Sequence, residues 1–325
     1  MSGNVSGGAV RRRALYTGAT LEVSTLTVSL GPVGTGAGDV GTVGMLRKAL
    51  GAGITTFDTA DAPDPMLAEA LLARAFPDPD PRIVVLCRGG RSGRARDPAS
   101  SAPPRPPGVG PERALGPRGA PAGFCRLLEV EASDLSEPAG GPGSGAPPRP
   151  APPPPPFVVR CRSTGDVERA ARLRAPRVLS GPFSLLERAL PEAAVRRLGQ
   201  DGFSWVGRDP FAGGRLDGTL FATGSPFAPV HHPRTVRELE AEFGPVARLG
   251  FLAQPRRRTL AQAALHFVVD TPWAVTACLG LPPVERWDEV VGFGSSPALD
   301  DEELKRVVFL PGADRDRVAS EGRPA

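Results

Sequence analysis

Asp58 ends the run Gly53-Ile54-Thr55-Thr56-Phe57-Asp58, which reads as a buried strand delivering one carboxylate to its carboxyl end. Arg88, Arg160 and Arg208 stand at comparable places, after Ile83-Val84-Val85-Leu86-Cys87, after Phe157-Val158-Val159 and after Trp205-Val206-Gly207. In parallel α/β architectures the carboxyl ends of the strands share one functional face, so three guanidiniums would converge there. The planar fork of arginine matches carboxylate and phosphate oxygens in pairs. With Arg286 near, the pattern is that of an anion site, and Asp58 and Glu131 could pair with its cations. The plainer reading of the same residues is that arginine is the default cation of this composition and splays into solvent. Ala212-Gly213-Gly214 offers backbone N–H groups that could meet a phosphate, or it is only a tight turn.

Other reactive residue types point nowhere as specific. His231-His232 sit in a proline-flanked stretch with no third ligand at metal-site spacing, so no metal is expected. His266 lies on a helical stretch and reads as a packing or solvated residue. Cys87, Cys125 and Cys278 read as small buried thiols. Cys161, beside Arg160, is the one thiol placed where a cation could activate it. Tyr16 is the only tyrosine, and Lys48 and Lys305 are the only lysines.

The elements that must position these groups can be read in order. Leu26 to Gly36 is a first strand, Val40 to Ala52 a helix with Val43, Leu46 and Leu50 on one face, and Gly53 to Asp58 the next strand. A helix from Pro65 to Ala75 and a strand from Arg82 to Cys87 make the order βαβαβ, which favours a parallel sheet with helices outside. The pattern breaks from Gly89 to Gly123. Phe124 to Glu131 reads as a strand, and Ser133 to Pro156 ends in five consecutive prolines, an extended or disordered run. Order returns with strands at Phe157–Arg160, Arg177–Phe183, Gly202–Val206 and Trp273–Leu279. Helices are expected at Asp166–Leu173, Pro191–Leu198, Thr235–Leu249, Thr259–Val268 and Val284–Val291, and from Asp300.

Composition sets outer limits. At 325 residues the chain can hold one domain of barrel size, which needs about 250. Its 40 glycines and 39 prolines approach the low-complexity range, so part of the length is not expected to fold. The net charge of +4 suits small anionic ligands, and no basic motif interleaved with aromatics supports specific nucleic-acid binding. The four cysteines form no CxxC pair, which favours a reducing, cytoplasmic setting over a disulfide framework. No apolar run of about 18 residues is present to span a membrane, and Met1 to Gly18 lacks the apolar core of a signal peptide.

Several stretches carry a family resemblance. Gly53-Ile54-Thr55-Thr56-Phe57-Asp58-Thr59-Ala60 resembles the Gly-Ile-Asn-Phe-Phe-Asp-Thr-Ala strand of the aldo/keto reductases. Ser184-Leu185-Leu186-Glu187-Arg188 is similar to their Ser-Leu-Leu-Asn-Arg. Arg208-Asp209-Pro210-Phe211-Ala212-Gly213-Gly214-Arg215-Leu216-Asp217-Gly218 is similar to their Tyr-Ser-Pro-Leu-Ala-Gly-Gly-Leu-Leu-Thr-Gly loop. Thr259 to Val268 nearly repeats their Thr-Leu-Ala-Gln-Ala-Ala-Leu-Arg-Phe-Val, the longest match. Residues 12–24 resemble the hairpin that plugs the barrel bottom. The resemblance implies a single (β/α)8 TIM barrel over 1–325. It implies loops at 96–123 and 133–156 in place of the third and fourth helices, and a tail at 312–325.

It also implies a site with most of its parts exchanged. The family reduces carbonyls with NADPH through a proton-donating Tyr, a Lys, an Asp and a His. Here the Asp is Asp58, the Tyr position holds Pro63, the Lys position Arg88, and the His position falls on Glu131. Arg160-Cys161 stands for the Ser-Asn that holds the nicotinamide amide, and Ser180 for the Gln on the sixth strand. In the C-terminal phosphate-binding stretch Gly280 remains, Arg286 replaces Gln and Val290 replaces Asn. The loop that lies against the cofactor supplies Arg208, Asp209, Phe211, Gly213 and Gly214. Three functions follow as expectations. One is an aldo/keto reductase-like oxidoreductase of unknown substrate, binding NADP, with the family mechanism lost and chemistry moved to Asp58, Arg88 and Glu131. A second is a non-catalytic barrel holding an anionic metabolite at the arginines. The third is an interaction protein using its proline-rich segments.

Overall fold

The computed structural model describes residues 10–31, 39–88, 124–132, 157–172, 178–188, 190, 198, 202–218 and 243–310. The described residues form ten strands: β1 Arg12–Ala14, β2 Glu22–Ser24, β3 Leu26–Ser29, β4 Thr56–Asp58, β5 Val84–Arg88, β6 Cys125–Glu131, β7 Phe157–Arg160, β8 Val178–Pro182, β9 Ser204–Arg208 and β10 Ala274–Gly280. The helices are α1 Asp39–Gly51, α2 Pro65–Ala75, α3 Thr164–Arg172, α4 over 243–248, α5 Leu260–Val269, α6 Trp287–Val291 and α7 Asp301–Phe309. Strands β3 to β10 pair in parallel and close into a barrel in the order β10-β3-β4-β5-β6-β7-β8-β9. The expected (β/α)8 architecture is therefore present. The loops expected in place of the third and fourth helices, the helix at 191–198 apart from Leu198, and the tail at 312–325 lie outside the described residues.

Strand alternation divides the core into two layers. Inward-facing Val84, Leu86, Leu127, Val158, Val178, Val206 and Cys278 fill the barrel below its mouth. Outward-facing Leu26, Val28, Phe57, Val85, Val159, Leu179 and Trp205 pack beneath the helices. The antiparallel β1–β2 hairpin pushes Leu15 and Val23 into the inner layer and closes the bottom, as its sequence suggests.

Polar pins at the bottom fix the height of β4. Ser24 Oγ accepts from the N–H groups of Thr55 and Thr56 at 3.1 and 3.0 Å, and Thr56 Oγ1 accepts from Ser24 N–H at 2.9 Å. Asp58 stands two residues above Thr56 on the same inward face, so this clasp sets the carboxylate's position. At the top, the Asp64 side chain caps α2 by accepting from Met66 and Leu67 N–H at 2.9 and 3.1 Å, with Pro65 opening the helix. The loop 59–64 is thus tied at both ends.

Close approach on the outer face requires glycine at 181. A Cβ there would stand 2.6 Å from the Cys161 carbonyl oxygen and 2.8 Å from the Trp205 ring, and the backbone atom cannot yield. Gly44, in the exposed middle of α1, has no neighbour within reach of such a Cβ. Gly181→Ala is therefore expected to cost about 1–3 kcal/mol. Gly44→Ala should gain about 0.5–1 kcal/mol from helix propensity. Thermal melts of both variants check this; equal melting temperatures would contradict the packing described.

Candidate functional site

Arg208 is the last residue of β9, and alternation from Ser204 and Val206 turns it into the barrel mouth. Its side chain is only 6% exposed and meets groups from four other strands. Nη1 donates to Asp58 Oδ2 at 2.9 Å and Asp61 Oδ2 at 2.8 Å; Nη2 donates to both Glu129 oxygens at 2.8 Å. Nε reaches Ser180 Oγ at 3.3 Å, and Cys278 Sγ lies 3.7 Å from Nη1. Arg160, ending β7, joins the cluster through Asp61 Oδ1 and through Glu129 Oε2 at 3.3 Å. Ser180 donates to Glu129, and Ser29 Oγ donates to Asp58 Oδ2 at 2.9 Å. Three carboxylates and two guanidiniums thus form one network across the mouth.

A charge without solvent needs partners, and each deep member has several. Burial alone would raise the Asp58 carboxyl. The charge and hydrogen bonds of Arg208, with the Ser29 hydroxyl and the Ala60 N–H, outweigh it and hold the group below the ordinary carboxylate range. Burial likewise works against the Arg208 cation, yet Asp58 and Glu129 keep its pKa well above the usual value. Beside them, burial and the Asp58 charge push the Cys278 thiol far up.

The residues singled out from sequence fall into distinct places. Asp58, Arg160 and Arg208 come together as expected, but their partners are carboxylates of the chain rather than an open anion site. Arg88 is exposed at the end of β5, and its Nε donates to Ala60 O at 2.9 Å. Among the described residues it pairs with no carboxylate. Glu131 is not the carboxylate of the network. It pairs with Arg162 at 2.8 Å, and that hydrogen bonding holds it below the usual range. Glu129, two residues deeper on the same face, takes the interior place, because alternation puts both on the inward side of β6. Asp61, Glu129, Ser180, Ser29 and Cys278 complete the cluster.

Apart from Arg160 and Arg208, the cofactor-side candidates lie outside this network. Asp209 has φ 52° and accepts from Gly213 N–H at 2.9 Å through both oxygens, so that donor is already taken. Ala212, Gly213 and Gly214 also have positive φ, and Phe211 is buried in the outer layer. Gly280 ends β10 opposite Ser29. Arg286 pairs with Glu289 at 2.7 Å. Cys161 turns into the outer layer, where burial pushes its thiol up to about 12; burial also raises Cys87, to about 11. His266 is buried, with Nδ1 2.6 Å from Asp270 and Nε2 near Phe293 O and Ser296 O. His231 and His232 lie outside the described residues. No group of three His, Cys, Asp or Glu among the described residues could hold a metal ion.

No protein-family description matches the sequence, and no curated protein does. Solved structures do. The apo form of the aldo-keto reductase AKR11C1 from Bacillus halodurans is 16% identical, with a TM-score of 0.59, covering 94% of this chain and 97% of its own. The holo form of that protein matches at 16% identity and a TM-score of 0.58 over the same shares. The barrel therefore has the aldo/keto reductase fold over nearly its whole length.

The network fixes a pH signature. Because the Asp58 pKa is depressed in the fold, its stabilisation is complete above the unfolded value of about 3.9 and is lost as pH falls through the folded value. In Arg208→Met only burial remains as the main influence, so the folded pKa rises above the unfolded one. The linked stability then belongs to acid pH and is lost as pH rises. The variant is expected to lose about 3–5 kcal/mol near neutral pH. It should also melt higher at about pH 5 than at about pH 7.5, a gain the parent lacks. Parallel pH profiles for the two proteins would refute this account.

Proposed function

We propose that this chain is an oxidoreductase-derived barrel of aldo/keto reductase type, with substrate unknown, that has given up the family's Tyr/Lys/His route and holds a small anionic ligand at its mouth. The observation that carries this reading is the pairing of Asp58 with Arg208. The resemblance assigns that aspartate a lysine partner next to a proton-donating tyrosine. A guanidinium stays protonated in proteins and gives no proton to a reacting carbonyl. Pro63 has none to give, and Tyr16 packs with the hairpin cluster that closes the opposite end. Arg88, exposed at the rim, supplies the positive charge that would meet an incoming anion. The four free thiols fit a reducing, cytoplasmic setting, and no described helix is long and apolar enough to cross a membrane.

A second reading keeps a nicotinamide cofactor and places residual chemistry at Asp58, Arg88 and the β6 carboxylates. The loop after β9 favours it: Asp209 and Ala212 hold positive φ, a conformation that costs energy in non-glycine residues and gathers at functional sites.

Titration with NADPH separates the two. The expected result is no change in melting temperature or tryptophan fluorescence, and no NADPH consumption with small aldehydes. Citrate or phosphate should raise the melting temperature, and the rise should vanish in the Arg88→Ala, Arg160→Ala double variant. A saturable NADPH response would overturn the first reading in favour of the second.

A further inference from the structure

The carboxylates of the mouth differ in how they are held. Asp58 has a side chain fully shielded from solvent and takes hydrogen bonds from Ser29, Ala60 N–H and Arg208. Glu129 is 3% exposed and is bonded by Ser180, Arg160 and Arg208. Asp61 is 31% exposed, and among the described residues its carboxylate meets only the guanidiniums of Arg160 and Arg208, one through each oxygen. Those guanidiniums come from the ends of two different strands. They present a two-point seat that is 18% exposed on the Arg160 side and 6% on the Arg208 side.

Around that seat the backbone is fixed, so opening it requires only that the partly exposed Asp61 side chain turn away from its two ion pairs. Thr59 N–H donates to Leu86 O at 2.8 Å, Ala60 O accepts from Arg88, and Asp64 caps α2. Rotation about the side chain's own bonds needs no loop movement. With Asp61 turned outward, Asp58 and Glu129 balance Arg160 and Arg208, and exposed Arg88 leaves the rim positive. With Asp61 inward the seat is filled.

We propose that Asp61 is a tethered stand-in for an external carboxylate, and that Arg160 and Arg208 form a seat for a small carboxylate ligand that opens when Asp61 rotates away. The inference rests on the reading of the mouth as anion-binding and names the ligand group and the residue that competes with it. A free carboxylate binds only the open fraction of the protein, so its apparent affinity falls by that fraction. Removing the tethered group should restore it by at least about tenfold.

The test is chemical rescue. Asp61→Ala, Asp61→Asn and the parent are melted in sodium acetate and in sodium chloride at equal ionic strength, with sodium phosphate as a third arm. Asp61→Ala should melt lower than the parent in chloride and rise saturably with acetate. Asp61→Asn, which still fills the space, should not respond, and Arg160→Met added to Asp61→Ala should abolish the rise. A larger response to phosphate than to acetate would overturn the assignment to carboxylates. An Asp61→Ala protein that gains no more from acetate than the parent does would overturn the seat itself. Should Asp61→Ala be unfolded in chloride, the folded fraction by circular dichroism takes the place of the melt, and a fraction indifferent to acetate overturns the proposal. Rescue of Asp61→Ala with no anion response in the parent would sustain the seat while sinking the proposed function, so the two fail separately.

Discussion

A guanidinium shut away from water must be matched by negative charge close at hand, and Arg208 organises the barrel mouth around that requirement. Its donors are met by Asp58 on β4, Glu129 on β6, Ser180 on β8 and the loop residue Asp61. Leaving any one of these groups alone in the low-dielectric interior would cost several kcal/mol, so the members stand or fall together. The mouth is accordingly stitched from chain segments up to 220 residues apart. The same contacts that make the site coherent leave Arg208 almost wholly covered, with Asp61 as its one partly exposed carboxylate partner. Only the outer margin, with Asp61, Arg160 and Arg88, keeps access to solvent.

The barrel was legible because parallel strands buried on both faces leave short apolar runs, and those runs appear in the right order. The strand Phe157–Arg160 and the helix Pro65–Ala75 agree with the structure to the residue, while the strand expected over Arg82–Cys87 runs from Val84 to Arg88. The site was legible only in part. Sequence shows which residues carry charge, but not which charges cancel. Arg160 and Arg208 therefore read as an open anion site, although Asp61 and Glu129 lie beside them. Glu129 and Glu131 share a face of β6, and their spacing gives no depth. Depth is set by the register with β5, where Glu129 stands opposite Arg88. Asp61 carries no pattern at all, since its role depends on a loop whose shape is fixed by Asp64 and by the Ala60 carbonyl.

The two ends of the barrel handle polar groups differently. At the bottom, Arg13 donates to Val269 O and Ala274 O at 2.7 and 3.0 Å, covering the last carbonyl of α5 and the first of β10. His266 and Asp270 join the same helix end to the 292–296 turn, beside a cavity of about 680 Å³ lined by Phe267, Pro272, Leu299 and Leu304. With both ring nitrogens of His266 facing oxygen acceptors, the Ser296 hydroxyl gives its own proton to Phe293 O at 2.6 Å. The trio is a structural clasp, and its resemblance to a nucleophilic triad ends at residue type.

The pairing of β3 with β10 has a temporal side. These strands meet at Leu26–Ser29 and Ala277–Gly280, and their inward threonines, Thr27 and Thr276, share a hydrogen bond at 2.8 Å. On a ribosome adding about 5–20 residues per second, the first barrel strand waits roughly 12–50 seconds for its partner to be made. Until then one edge of β3 has no strand to bind, and the cylinder is an open sheet. Among the described strands, closure is the most non-local pairing, and contacts of that kind slow folding. The nascent chain therefore passes through a long interval in which the β10-facing edge of β3 carries unpaired backbone groups.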